Sequence, residues 1–303
     1  LIDYAGSRYS FPPVEHVLRR AGVRTALFMR SINPWLTAYS NLRSHRKILV
    51  ADGRVGFTGG INIRADNLQE PKPSFPVRDI HFRMEGPVVG QLQQALAEDW
   101  NFATREALAG EPWFPPLDTA GDVIARGITD GPDEDYDKLR QVILGALACA
   151  RRRIRIVTPY FLPDSDLIAA LNTAALRGVE VEILIPQKNN LRLVGWAIRA
   201  HLWQVLERGC KVYFTAPPFE HTKIMTVDDA WALVGSANWD PRSLRLNFEF
   251  NVEAYDPQFA AGLDNIISRK RAAAHAVTLE EMDARKFPAR LRDGMARLFF
   301  PYL

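Results

Sequence analysis

Short runs in which nearly every residue is apolar alternate along this chain with longer stretches in which apolar residues recur every third or fourth position. The runs Ile48–Ala51 and Ile224–Val227 are almost wholly apolar and predict strands buried on both faces. Asp52-Gly53 and Asp228-Asp229 follow them as tight turns into second apolar runs, VGFTGG and WALVGS, so each unit predicts a hairpin. Residues 78–87 and 248–257 then predict strands carrying an acid and a second polar group two residues apart on one face, each leading through proline into an amphipathic helix.

The pattern is therefore duplicated. Residues 152–217 read strand, helix, strand, helix, strand, whereas ahead of residue 45 only the end of that series is found. The counterpart of residues 123–182, on the order of sixty residues if the halves are symmetric, is absent, and a chain opening on Leu is expected to be shortened at its amino terminus. Strands alternating with helices predict an α/β fold made of two related halves, each a mixed sheet flanked by helices. Their expected bounds are 1–115 and 116–275, joined through the proline-rich EPWFPP, with a helical tail at 276–303.

With 303 residues, 47% of them hydrophobic and 24% charged, the chain can bury a substantial core, and extensive disorder is excluded. A net charge of +3 suits anionic partners without proving them. Cys149 and Cys210 lie in no C-x-x-C pattern and predict two reduced, buried thiols rather than a zinc site. No apolar run reaches membrane-spanning length. The acidic loop at 130–135 is expected to favour the start of the helix that follows it. Thr278-Leu279-Glu280-Glu281 is a capping-box pattern, and the basic, apolar end RKFPARLRDGMARLFFPYL suits either an interfacial anchor or a helix docked on the domain.

The chemistry rests on one motif present twice. HRKILVAD, from His45 to Asp52, recurs as HTKIMTVD, from His221 to Asp228, both spelling His-x-Lys, four residues and Asp. The motif is read as a strand through its histidine, which puts His45 and Lys47 on one face, and likewise His221 and Lys223. Small residues and an amide follow in both copies, Gly59-Gly60-Ile61-Asn62 and Gly235-Ser236-Ala237-Asn238. Two ammonium groups and two amides can hold the nonbridging oxygens of a phosphate while two imidazoles divide nucleophile and general-acid duties. A lysine beside each histidine opposes a second cation, so no metal is expected.

These residues resemble the phospholipase D superfamily, whose hallmark is two H-x-K-x4-D motifs. The closer resemblance is to bacterial cardiolipin synthases, carried by SHRKILVADGRVGFTGGINI, RDIHFRMEGPVVGQLQQALAEDW, VTPYFLPD, HTKIMTVDDAWALVGSANWDPRSLRLNFEFN and VTLEEM. It implies a phosphatidyltransferase that joins two phosphatidylglycerols into cardiolipin and glycerol through a phosphohistidine. By that resemblance His45 is the nucleophile and His221 the acid and then base, or the reverse. Lys47, Lys223, Asn62 and Asn238 hold the phosphate, with Ser236 assisting, while Asp79 and Glu249 each orient one histidine. Asp52 and Asp228 belong to the motif, but their turn positions favour a structural role over a catalytic one.

The resemblance further implies no cofactor, no nucleic-acid partner, an anionic phospholipid substrate and a place at the bacterial cytoplasmic membrane, peripheral or anchored by a segment outside this chain. One chain supplies both half-sites, so a dimer is not required. Trp35-Leu36 and residues 191–203 are candidate rims of a lipid entrance, the latter read chiefly as helix packing. A hydrolase or nuclease using water as acceptor, and a non-catalytic membrane scaffold, are the rival readings.

Overall fold

The computed structural model describes residues 1–8, 11–30, 42–68, 70 and 73–299. Its frame is a nine-stranded mixed sheet. Arg153–Val157, Glu180–Pro186 and Lys211–Thr215 run parallel at one side, edged by antiparallel Ala274–Val277. The hairpin Ile224–Val227 and Trp231–Gly235 continues the sheet antiparallel, followed by the long strand Asn247–Tyr255. That strand also receives Ile124–Asp130 antiparallel and the short Arg43–Ser44 parallel. A separate three-stranded sheet comprises Ile48–Ala51, Val55–Gly59 and His81–Glu85. A doubled α/β arrangement is thus what the molecule adopts.

Two apolar layers cover the large sheet. On one face the helices Lys138–Cys149, Ser165–Leu176 and Arg192–His201 bury Leu139, Leu147, Leu171 and Ile198 against Ile154, Ile156 and Ile183. On the other, Val88–Thr104 and Pro257–Ala272 bring Leu92, Leu263 and Ile267 onto Val157, Leu184, Ile224 and Phe250. Ile48, Val50, Phe82 and Met84 of the small sheet pack into this second layer, so the two halves share a core.

The hairpin prediction holds in detail. Asp52 and Gly53 have φ of 53° and 65°, Asp228 and Asp229 54° and 59°, the left-handed pair that a tight hairpin turn requires and that Asp tolerates best after Asn and Gly. The two hairpins differ in depth. Ile224–Val227 is buried along its whole length at the centre of the large sheet, as predicted. Ile48–Ala51 is not: it is an edge strand of the small sheet, and Leu49 is 61% exposed. Among the described residues the small sheet has no counterpart of Arg153–Val157 to cover that edge.

Further departures are local. The predicted strand at 78–87 breaks into Val77–Arg78 and His81–Glu85 around Asp79 and Ile80. Cys210 is buried, but Cys149, at the carboxyl end of its helix, is exposed. The acidic loop acts through Asp130, which is buried and accepts the Leu139 N–H at 2.9 Å in the first turn of Lys138–Cys149. Thr278 accepts the Glu281 N–H at 3.1 Å, capping Leu279–Asp283 as its sequence predicts. Trp35 and Leu36 lie outside the described residues. Residues 191–203 do pack as a helix, burying Val194, Ala197 and Ile198, while Leu191, Leu193 and Trp203 stay exposed. Among the described residues no helix is long and apolar enough to cross a membrane.

Candidate active site

The His-x-Lys segments lie just outside regular strands, each between a two-residue strand and its hairpin. This corrects the strand expected through the histidines, and the reason is a change of partner. Arg43–Ser44 pairs with Asn247–Phe248 of the second half, whereas Ile48–Ala51 pairs within the first half. Reciprocally, Phe219–Glu220 pairs with Val77–Arg78 of the first half. The His45 N–H donates to the Phe248 carbonyl at 2.8 Å, and the His221 N–H to the Arg78 carbonyl at 2.7 Å. Each motif is therefore pinned beside the other half's acid.

His45 Nδ1 stands 2.9 Å from both carboxylate oxygens of Glu249, and His221 Nδ1 stands 2.6 Å from Asp79 Oδ2. Burial pushes both acids up, but neighbouring cations and hydrogen bonds outweigh it. His45, Lys47 and Ser236 bring Glu249 down to about 2, and Lys223 and His221 hold Asp79 below its ordinary value. An ionised carboxylate only accepts, so Nδ1 of each ring carries the proton and Nε2 keeps its lone pair. The two imidazoles are presented for chemistry through the same atom.

Burial lowers Lys47 to about 8 and lowers Lys223 as well, each in spite of nearby carboxylates. Burial, then Lys223, takes His221 down to about 3, while burial draws His45 down against the pull of Glu249. His45 feels Lys223, His221 feels Lys47, and Lys47 feels Lys223, so the two copies form one electrostatic site. Lys47 Nζ donates to the His45 carbonyl at 2.7 Å. Lys223 Nζ donates to the His221 carbonyl and lies 2.9 Å from His221 Nδ1 and 3.7 Å from Asp79. The histidines are not equivalent: 26% of the His45 side chain is exposed and 11% of His221.

The small residues after each hairpin make room for the acids. Gly59 and Gly235 have φ of 151° and 158°, and a Cβ on Gly59 would lie 2.5 Å from the Ile80 carbonyl. A Cβ on Gly60 would strike the Asp79 carboxylate. At the matching position Ser236 is buried, donates to Glu249 Oε2 at 2.5 Å and accepts the Phe250 N–H at 3.0 Å. The Ser236 hydroxyl is therefore engaged with the acid that faces His45. Asn238 is buried, its amide donating to Ser243 Oγ at 3.2 Å while its carbonyl oxygen has no partner among the described residues. Asn62 is half-buried, its backbone carbonyl accepting the Arg64 N–H at 2.9 Å.

The motif aspartates lie elsewhere. Five steps of extended chain at roughly 3.3 Å each carry them on the order of 16 Å past their lysines. Asp228 accepts the backbone N–H groups of Arg151, Arg152 and Arg153 at 2.7, 2.7 and 2.9 Å, tying the hairpin to the strand Arg153–Val157. Asp52 occupies the same kind of turn in the exposed sheet. Both aspartates thus sit at the turn positions that their sequence predicts.

Several supporting residues escaped the sequence reading. Arg46, the middle residue of the first motif, forms a buried ion pair with Asp99 at 2.8 Å and donates to the Glu249 carbonyl at 3.1 Å. Asn247 donates to Glu249 Oε1 at 3.3 Å, and period-two spacing on one strand was the available signal. Tyr160 and Phe219 flank the His221 ring, with centroids 6.4 and 5.7 Å away. Tyr160 donates its hydroxyl to Asn190 at 2.8 Å. Among the described residues no group of three or more His, Cys, Asp or Glu is arranged to hold a metal ion.

Residues 143–271 match the family model described as cardiolipin synthase, PLD-like domain. Over its whole length the chain is 34% identical to cardiolipin synthase 2 of Staphylococcus epidermidis, covering 62% of that protein. Residues 143–271 are thus shown to be a PLD-like domain. The chain is 36% identical over its whole length to cardiolipin synthase A of Pseudomonas putida, covering 63% of it. Among solved structures, phosphatidylserine synthase of Haemophilus influenzae shares the fold, aligning with all of the chain and 82% of its own at a TM-score of 0.71 and 16% identity. The chain spans less than two thirds of the length of the curated cardiolipin synthases it matches, and within it lie both H-x-K-x4-D motifs of the superfamily.

Proposed function

We propose that this chain carries the phosphatidyl-transferring centre of a cardiolipin synthase, formed between halves 1–115 and 116–275 with residues 276–303 as a tail. The observation that carries the proposal is the reciprocal pairing of each motif histidine with an acid of the other half, with a lysine beside each ring. With two carboxylates, two ammonium groups and two neutral imidazoles, the site is close to neutral overall. A phosphodiester adds one negative charge, which favours one more proton in the site. One ring then stays a nucleophile while the other becomes an acid, the division that the reaction needs.

In the proposed sequence His45 Nε2, the more exposed ring, attacks the phosphorus of phosphatidylglycerol. The P–N bond forms as the bond to the glycerol oxygen breaks, and protonated His221 gives that oxygen its proton. The glycerol hydroxyl of a second phosphatidylglycerol then gives its proton to His221 and attacks phosphorus, breaking the P–N bond and leaving cardiolipin and glycerol. Lys47, Lys223, Asn62 and Asn238 supply charge and donors to the phosphate oxygens. No metal, cofactor or second chain enters the scheme. The substrate class and the relatives support peripheral work at the bacterial cytoplasmic membrane.

Rapid quenching with phosphatidylglycerol labelled at phosphorus tests the covalent step. Acid-labile, alkali-stable label on the chain, absent from His45→Ala, is the expected result. Label retained by His45→Ala and lost in His221→Ala would reverse the two roles, and no labelled protein during active turnover would overturn the phosphohistidine.

A further inference from the structure

Among the described residues, the helix Phe287–Arg297 docks by one face. Its inner side buries Asp293 and Ala296, and the Arg292 guanidinium lies 4.5 Å over the Trp196 ring of Arg192–His201. The outward side is a stripe at helical spacing: Phe287, Leu291, Met295 and Leu298 are 75, 52, 57 and 78% exposed. Scattered exposed apolar residues are ordinary, but a continuous helical stripe is not.

Charge says what covers it. From 285 to 299 the chain has five basic residues and one acid, and that acid, Asp293, is buried and bridged to Arg285 at 2.5 Å and Arg292 at 2.6 Å. Beside the stripe lies a groove of about 710 Å³ lined by four arginines, Arg199, Arg285, Arg290 and Arg297, that outnumber its two acids, Glu207 and Asp283. Apolar side chains flanked by arginines, with an arginine-lined groove alongside, complement acyl chains beneath anionic headgroups. The helix underneath also leads to the site. Arg192–His201 begins just after Asn190, which accepts the Tyr160 hydroxyl beside His221, and Leu191 and Leu193 are exposed there.

We infer that the outer face of Phe287–Arg297 and the adjoining arginine groove form a docking surface for an anionic lipid bilayer. The inference deepens the lipid-transferring reading and rests on it for its purpose, though binding can be measured without turnover.

The test uses the 303-residue chain and vesicles of phosphatidylcholine with and without about a third phosphatidylserine. Wild type should co-sediment with the anionic vesicles and release as salt rises. The combined Phe287→Ser, Leu291→Ser and Met295→Ser variant should bind at least about tenfold more weakly. Arg290→Gln with Arg297→Gln should lose the preference for anionic vesicles. Both variants should keep the wild-type melting temperature and the wild-type turnover of a short-chain, monomeric phosphatidylglycerol. Equal binding by wild type and the apolar variant, or no vesicle binding by wild type, overturns the inference. Helix-dependent binding by a chain that turns over no lipid would sustain the docking surface while removing the proposed reaction.

Discussion

His45 and His221 do the same job of presenting Nε2, and they do it with different tools. Asp79 reaches its ring because Gly60 has no side chain, whereas the longer Glu249 is met by the Ser236 hydroxyl at the matching position. Replacing either histidine with alanine should lower turnover by at least about 10³-fold with the fold intact. Glu249→Gln and Asp79→Asn should cost about 10²- to 10⁴-fold in kcat, because an amide no longer dictates which ring nitrogen is protonated. The pH dependence follows from Lys47. Its ammonium is lowered to about 8 by burial, so the protonated form that attracts phosphate is lost as pH rises through that value, and KM for phosphatidylglycerol should climb there. Lys47→Arg, which keeps its charge, should remove that alkaline limb; a limb unchanged in the arginine variant would assign it to another group. The duplicated motif made both histidines and lysines legible from spacing alone. Arg46 was not, because its partners Asp99 and the Glu249 carbonyl are distant in sequence and meet it only in the fold, and no local pattern encodes them.

At the scale of elements, the two hairpins are near copies in sequence and differ in what surrounds them. Asp228 holds three backbone N–H groups at and just before the start of the neighbouring strand, so Asp228→Ala should cost about 2 kcal/mol, part of the loss being offset by solvent. Asp52→Ala should cost about 1 kcal/mol, the ordinary price of a left-handed φ without Asp. Melting curves beside turnover separate the readings: loss of turnover by Asp52→Ala at unchanged stability would make that acid catalytic after all. Hairpin turns, proline-led helices and the Thr278 cap could be read from sequence because each is a local rule. The depth of Ile48–Ala51 could not, since four apolar residues fit an edge strand as well as a central one until the sheet around them is known. Among the described residues no strand pairs with that edge, and Leu49 is exposed on it. Leu49→Lys should reduce aggregation on concentration and leave turnover unchanged, as light scattering and lipid assay together would tell.

For the molecule as a whole, the reciprocal strand exchange between halves means that neither half holds a complete site: His45 needs Glu249 and His221 needs Asp79. The duplication was legible in the sequence, but the exchange was not, because repeats report likeness and not contact. The central claim is that one composite site moves a phosphatidyl group to a lipid alcohol without a metal. Its most direct measurement is incubation of the purified chain with labelled phosphatidylglycerol in mixed micelles, with and without chelator, beside His45→Ala and His221→Ala. Cardiolipin and glycerol in equal amounts, unaffected by chelator and absent from both variants, is the result predicted; phosphatidic acid in place of cardiolipin, or product that persists in either variant, would contradict it.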